Sequence, residues 1–322
     1  MKYHGAWFAT VITVLIPLGP SGASAETLAV FTKSQGNPVA KAVRAGADQV
    51  ARSAGMTVFH YIPTSADNVP QQTGLVTEAL REKPAAIVFT PVDVKAMVPA
   101  VDKINAAGIP VVNVTDKIAG STVSAFVGTD DYSVALDTAR LLFKAMGGKG
   151  NVVVLEGPDN IPTAVGRLRG FKEALKEFPE VKVLLSKNAS YARPVAADLV
   201  KAMLRLNPPP QIDGVLAAND AMAFGALESL KAANKKALIV GINASKEAVD
   251  LIKAGEMLAS GDYSGFIDGC VGAEVAIRVL RKQSTPKEVL AKSIVVDKTN
   301  YQPYEVPVER RTCPTLESVT AK

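Results

Sequence analysis

The residues of this chain that could do chemistry sit singly after short apolar runs: Lys33 to Asn37, Thr115 to Lys117, residues 158–167, Ser190 and Tyr191, Asn219 and Asp220, Asn243, and Gly261 to Tyr263. They supply hydrogen-bond donors and acceptors, one arginine fork and aromatic faces. Gathered in one cleft, such groups suit a small polar molecule held without covalent chemistry. The types needed for catalysis are scarce. His60 is the single histidine beyond residue 25 and falls inside the strand-like MTVFHYI, so a histidine base beside a nucleophile is not expected. FTKSQGNP has one glycine where a dinucleotide fingerprint needs three, and no GxxxxGK[ST] occurs. An enzyme is therefore not expected, and neither is a cofactor or a metal site, because two cysteines and one histidine make no structural zinc cage.

The elements that must position these residues follow from the alternation of apolar runs with longer amphipathic ones. LAVFT, MTVFHYI, AAIVFT and IPVVNV read as strands, with helices near 38–53, 70–82 and 94–106 between them. Short β-branched runs of this kind read as strands buried on both faces, and alternation with helices implies a parallel sheet. After SAFVGTDD the rhythm restarts. NVVVLEG, VKVLLS, DGVLAA and ALIVGI are separated by helices near 132–146, 164–178, 194–206 and 221–233. The fold class is α/β, two Rossmann-like lobes, with the boundary around 128–131. In such sheets the ligand crevice lies at the carboxyl ends of the strands, where helix N-termini also point their N–H groups.

Residues 1–25, MKYHGAWFATVITVLIPLGPSGASA, have the layout of a cleaved export signal: a short polar start, an apolar run too short for a bilayer span, and an A-x-A site at Ala23 to Ala25. The protein is thus expected in the periplasm. The net charge of +5 is spread along helices without a basic block, so no nucleic-acid partner is expected. Cys270 and Cys313 would bridge in an oxidising compartment, yet a buried free thiol explains Cys270 equally well. The tail, 300–322, is expected to wrap over one lobe, pinned by Cys313.

The stretches GNPVAKAVRAGA, AAIVFTPVD, NAAGIPVV, VGTDD, GRLRGFKEAL, AANDAMAFGAL and VGINASKEAVDLIKAGEMLAS, in that order, resemble the type I periplasmic solute-binding proteins, specifically the ribose-binding-like sugar group. The resemblance implies two lobes joined by a three-crossing hinge, with crossings near Thr129, Tyr263 and Ile294. It also implies a ligand buried between the lobes, hinge closure, an inner-membrane ABC permease as partner, and a monomer. It divides the chain into 26–128 plus 264–293, 129–263 plus 294–310, and a tail at 311–322.

Carried over residue by residue, the resemblance makes Arg167 a clamp on sugar hydroxyls, against the plain alternative of a surface salt bridge. Tyr191 becomes a ring stacked on the sugar, against a tyrosine that only covers a loop. Asn219 becomes a donor to ligand oxygens, with the helix cap assigned to Asp220 beside it. Asn37 precedes Pro38, and capping explains it as well as a ligand does. Asp116 is the carboxylate of the third loop whichever way the family's Asp-Arg pair is placed, on Thr115 and Asp116 or on Asp116 and Lys117. Tyr263 takes a polar hinge position for which Asp262 could substitute. The departures are Val39 and Ala40, where relatives carry paired phenylalanines, Asn243 where an aspartate is common, and the extra cation Lys33. The implied function is a binding subunit for uptake of a pentose, polyol or related sugar. A sugar acid or other small anion is the alternative, on the strength of Lys33, Lys117, Arg167 and Asn243. A ligand-sensing partner of a membrane receptor is a further one.

Overall fold

The computed structural model describes residue 1, residues 26–159 and residues 161–320. The export signal expected over 1–25 lies, Met1 apart, outside the described residues. The first half of the chain runs β1 (Thr27–Phe31), α1 (Pro38–Ser53), β2 (Thr57–Tyr61), α2 (Val69–Glu82), β3 (Ala86–Phe89), α3 (Val98–Ala106), β4 (Val111–Val114), β5 (Ala125–Thr129) and α4 (Asp131–Ala145). It continues with β6 (Lys149–Glu156), α5 (Pro162–Glu177), β7 (Glu180–Asn188), α6 (Arg193–Leu204), β8 (Gly214–Ala217), α7 (Asp220–Ala232), β9 (Leu238–Ile242), α8 (Lys246–Ala254) and β10 (Ala259–Asp262). The chain closes with α9 (Gly265–Leu280), β11 (Glu288–Ala291), β12 (Ile294–Asp297), α10 (Gln302–Glu305), a 3-10 turn at Val308–Arg310, and α11 (Leu316–Thr320).

These strands form two sheets, ordered β11-β5-β4-β3-β1-β2 and β12-β10-β9-β8-β6-β7. Every pairing is parallel except β10 with β12, so the second sheet carries one antiparallel edge that the rhythm of strands and helices does not announce. The two-residue period of a strand divides the first sheet cleanly between its faces. Leu28, Val30, Val88 and Val114 pack under α1 and α9, whereas Ala29, Phe31, Ile87 and Phe89 pack under α2 and α3. Burial on both faces fails at the edges. In β2, Phe59 is 46% exposed, and in β7 Val183 and Leu184 also reach solvent, because an edge strand has a neighbour on one side only.

Local chemistry sets the helix starts. Asn37 caps α1 by accepting from the N–H groups of Val39 and Ala40, with Pro38 in the first turn. α3 begins at Val98, later than expected, because the Asp93 carboxylate accepts from the N–H groups of Lys95 and Ala96 and holds that segment as a turn. Helix pairs close where glycine replaces a side chain: a Cβ on Gly46 of α1 would lie 2.4 Å from the Phe266 carbonyl, and one on Gly225 of α7 2.1 Å from the Arg193 carbonyl.

The chain passes between the sheets after β5, after β10, and in the two residues that separate β11 from β12. The tail is not confined to one lobe. Tyr301 and Tyr304 pack on the second lobe's core and Glu305 pairs with Lys253 at 2.5 Å. Beyond them Glu309 meets Lys41 of α1, Gln49 holds Arg311 and Cys313 through the backbone, and Leu316 is buried in the first lobe's core. Cys270 and Cys313 are joined by a disulfide.

Candidate functional site

The carboxyl ends of both sheets meet, and the polar loops meet with them. Lys33, just past β1, reaches Asp116 in the loop after β4, its Nζ 2.9 Å from Oδ2. Both are largely buried. Burial alone would lower the lysine, but the Asp116 carboxylate overrides it and holds the ammonium above its ordinary value. Asn113 shapes the Asp116 loop, donating to the carbonyls of Phe89 and Asp116 and accepting from the Ile118 N–H. Thr115 inside that loop has φ +70°, an uncommon place for a β-branched residue. Its carbonyl accepts from the hydroxyl of Tyr263 at 3.3 Å, a contact from the hinge to the first lobe.

Arg167 lies in the second turn of α5 and is only 4% exposed, so it is no surface pair. Its Nε donates to Asp131 Oδ1 at 2.9 Å and its Nη1 to the Ala218 carbonyl at 2.6 Å. The guanidinium carbon lies 4.6 Å from the ring centre of Tyr263 and 5.7 Å from that of Tyr191. Asp131 is a residue that sequence reasoning missed. Its signal was the second aspartate of VGTDD: Asp130 caps α4, and Asp131, one residue later, turns toward Arg167. Burial pushes the Asp131 carboxyl up to about 6, against the pull of Arg167.

Tyr191 sits in a tight turn, Ser190 and Tyr191 both with positive φ. Its hydroxyl is 3.2 Å from Thr163 Oγ1, and its ring packs against Gly157, where a Cβ would approach to 2.5 Å. Asn219 holds the same turn, donating from Nδ2 to the Tyr191 carbonyl at 3.1 Å.

The helix cap falls on Asn219 and not, as expected, on Asp220. Asn219 is the N-cap of α7, its Oδ1 accepting from the Met222 N–H at 2.9 Å. Asp220 begins the helix and is buried, taking the Ser260 hydroxyl at 2.6 Å and the Ser245 N–H at 2.9 Å. A cap must sit one residue before the helical dihedrals begin, and that residue is 219. Asp262 is likewise not a stand-in for Tyr263. Its carboxylate faces the tail, accepting from the Tyr304 hydroxyl at 2.8 Å and the Ser264 N–H at 2.7 Å.

Lys33, Asp116, Arg167, Tyr191, Asn219 and Tyr263 thus form one connected group, with Asp131, Thr115 and Thr163 as further members. Asn37 is exposed with its side chain committed to the cap. Asn243, at φ +136°, donates its backbone N–H to Gly261, and its side chain makes no hydrogen bond among the described residues. Lys117 points outward to Glu288, both more than 40% exposed. Val39 is partly buried and touches the second lobe's core. Among the described residues no group of three or more His, Cys, Asp or Glu is arranged to hold a metal ion.

Comparison with known proteins gives this arrangement its context. The chain is 32% identical over 279 residues to a D-apiose import binding protein of Actinobacillus succinogenes, covering 85% of this chain and 88% of the relative. It is 28% identical over 238 residues to a xylitol-binding protein of Mycolicibacterium smegmatis, covering 73% and 68%. A solved ABC transporter periplasmic solute binding protein from Actinobacillus succinogenes with bound D-allose superposes with a TM-score of 0.81 at 28% identity, over 87% of this chain and 100% of that one. A family model described as periplasmic binding protein domain matches residues 28–284. By sequence and fold, the chain belongs to the periplasmic binding protein domain family.

Proposed function

We propose that this protein is the periplasmic substrate-binding subunit of an ABC importer for a small neutral polyhydroxylated solute, a pentose, polyol or related sugar. The lobes, 26–128 plus 264–293 and 129–263 plus 294–310, close on it by hinge motion. The observation that carries the reading is the charge balance of the cleft. Each buried cation already has a carboxylate, Lys33 with Asp116 and Arg167 with Asp131, while Lys117 is spent on Glu288 outside. An anionic solute would find no unpaired cation among these three. A neutral polyol finds the remaining N–H groups of Arg167, the Asn243 amide and the ring of Tyr191. The names of the relatives, which bind apiose, xylitol and allose, support the same class.

The family relation supports export to the periplasm, an inner-membrane permease that reads the closed form, and binding without turnover. A contact made by both lobes is realised fully only in the closed state, so the solute shifts the opening equilibrium. The test is thermal unfolding of residues 26–322 with D-apiose, xylitol, D-allose and the corresponding sugar acids. A solute at 100 times its Kd adds roughly 2.7 kcal/mol to stability. A shift with a neutral compound and none with its acid is expected; a preference for the acid overturns the charge argument.

A further inference from the structure

Buried polar atoms without a partner cluster at one wall of this cleft. Among the described residues such side-chain atoms are Thr90 Oγ1, Thr115 Oγ1, Ser264 Oγ, both carboxyl oxygens of Asp268, and two others, Asp48 Oδ1 and Ser293 Oγ. Thr90 and Thr115 directly follow β3 and β4; Ser264 is the N-cap of α9 and Asp268 lies in its first turn. A folded protein rarely leaves even one buried carboxyl oxygen unbonded, because it forfeits the full cost of desolvation. Here neither oxygen of a fully buried aspartate makes a well-formed hydrogen bond, and the Thr115 hydroxyl is the one polar neighbour that favours its charge.

The packing fixes where Asp268 lies. One turn further along α9, Gly272 rests on Val114, a Cβ there meeting Val114 Cγ1 at 2.5 Å. Asp268 therefore lies over the residues that follow Val114, the strained Thr115 first among them. Thr90 continues the alternation of Val88 toward α9. The charges that bear on the Asp268 carboxyl are Asp262, Asp116 and Asp131, with the Thr115 hydroxyl beside it. Asp116 belongs to one lobe and Asp131 to the other, which puts Asp268 at their junction and not in an outer core.

We infer that Asp268, with Thr115, is a solute-recognition pair: its two carboxyl oxygens accept from neighbouring hydroxyls of a vicinal diol as the lobes close around it. The inference rests on the solute class proposed above and adds the group that reads it. Burial favours the protonated form of this carboxyl in the solute-free protein; two O–H donors on adjacent carbons would favour the ionised form, and the adjacent threonine hydroxyl completes the donor and acceptor set. The cost of holding this carboxyl unpaired in the solute-free protein is of the kind stored at binding sites.

The test is the response of the wild type, Asp268→Leu and Thr115→Val to D-apiose, xylitol, D-allose and their singly deoxygenated analogues, with unfolding temperature of the free protein measured alongside. Asp268→Leu is expected to unfold at a higher temperature than the wild type and to bind the preferred compound at least 100-fold more weakly. It should no longer distinguish that compound from the analogue lacking one hydroxyl of the diol. Thr115→Val, which nearly preserves shape, is expected to lose about tenfold, and it carries the test if Asp268→Leu does not fold. Wild-type affinity within threefold in either folded variant overturns the inference while leaving the proposed function intact. Absence of any response in the wild type overturns both.

Discussion

Replacing Arg167 by Met tests the centre of the cleft. The guanidinium has five N–H groups. One goes from Nε to Asp131 and one from Nη1 to the Ala218 carbonyl, which leaves three to face the solute. If two of these bind solute hydroxyls at about 1.5–3 kcal/mol each, their loss costs about 3–6 kcal/mol, or roughly 10²- to 10⁴-fold in Kd. The variant also leaves the Asp131 carboxyl buried without its cation, which would weaken the fold whether or not Arg167 touches a ligand. Arg167→Met/Asp131→Asn separates the two effects, because it removes both charges together. Titration calorimetry with whichever of D-apiose, xylitol and D-allose the wild type prefers should show the same large loss in both variants, with chemical unfolding showing recovered stability in the double one. Recovery of tight binding in the double variant would refute the reasoning, since Arg167 would then serve only to neutralise Asp131.

Asp131 also predicts a pH response. Its carboxyl is about 6 in the folded protein against an ordinary 3.8, so the folded state holds a proton that the unfolded state has lost. Stability from this group is present below pH 3.8 and disappears as pH rises through 6, a swing of about 3 kcal/mol at 1.36 kcal/mol per pH unit. Asp220, Asp262 and Asp268 are raised in the same sense by burial. Urea midpoints should therefore increase on acidification from pH 7 to 5, and Asp131→Asn should flatten the curve; an unchanged slope in that variant contradicts the assignment. Breaking the Cys270–Cys313 bridge, which spans 43 residues, should cost about 4 kcal/mol on the chain-entropy argument, and Cys313→Ser measured by urea unfolding checks it. Asn219→Ala should lose about 1 kcal/mol as a cap and loosen the Tyr191 turn it holds, whereas Asp220→Ala, which strips the partner from Ser260 and the Ser245 N–H, should cost more. Equal losses in the two variants would count against the roles assigned here.

The architecture was legible because buried parallel strands are written as apolar runs and helices as amphipathic ones. What could not be read was which strand ends a sheet: TVFHY in β2 has the same apolar character as an inner strand, and only the topology leaves its outer side bare. The antiparallel β12 was hidden because a two-residue link between strands on different sheets has no signature of direction. Most of the candidate residues fall into one connected group, since they follow strand ends. The pairs within it were not visible. Asp131 and Arg167 are 36 residues apart, and Asp116 meets a lysine from another loop, so the charges that seemed to favour an anion are neutralised in three dimensions. Asp268 escaped notice because GFIDGCVGA reads as an apolar helix with one polar interruption. The cap was placed on Asp220 instead of Asn219 because a one-residue error in a helix start moves the cap.

The tail and its disulfide have a mechanical consequence. From Cys270 in α9 the chain runs through β11 in the first sheet, β12 in the second and Tyr304 against Asp262, then returns to Cys313 and so to Cys270. This is a closed covalent ring that takes one strand from each half of the molecule. The two-residue link between β11 and β12 ties the edge strands of the two sheets together, and the ring encloses that link. The stretch between Asp297 and Cys313 is thus a further covalent return from the second half to the first, beside the crossings after β5, after β10 and between β11 and β12.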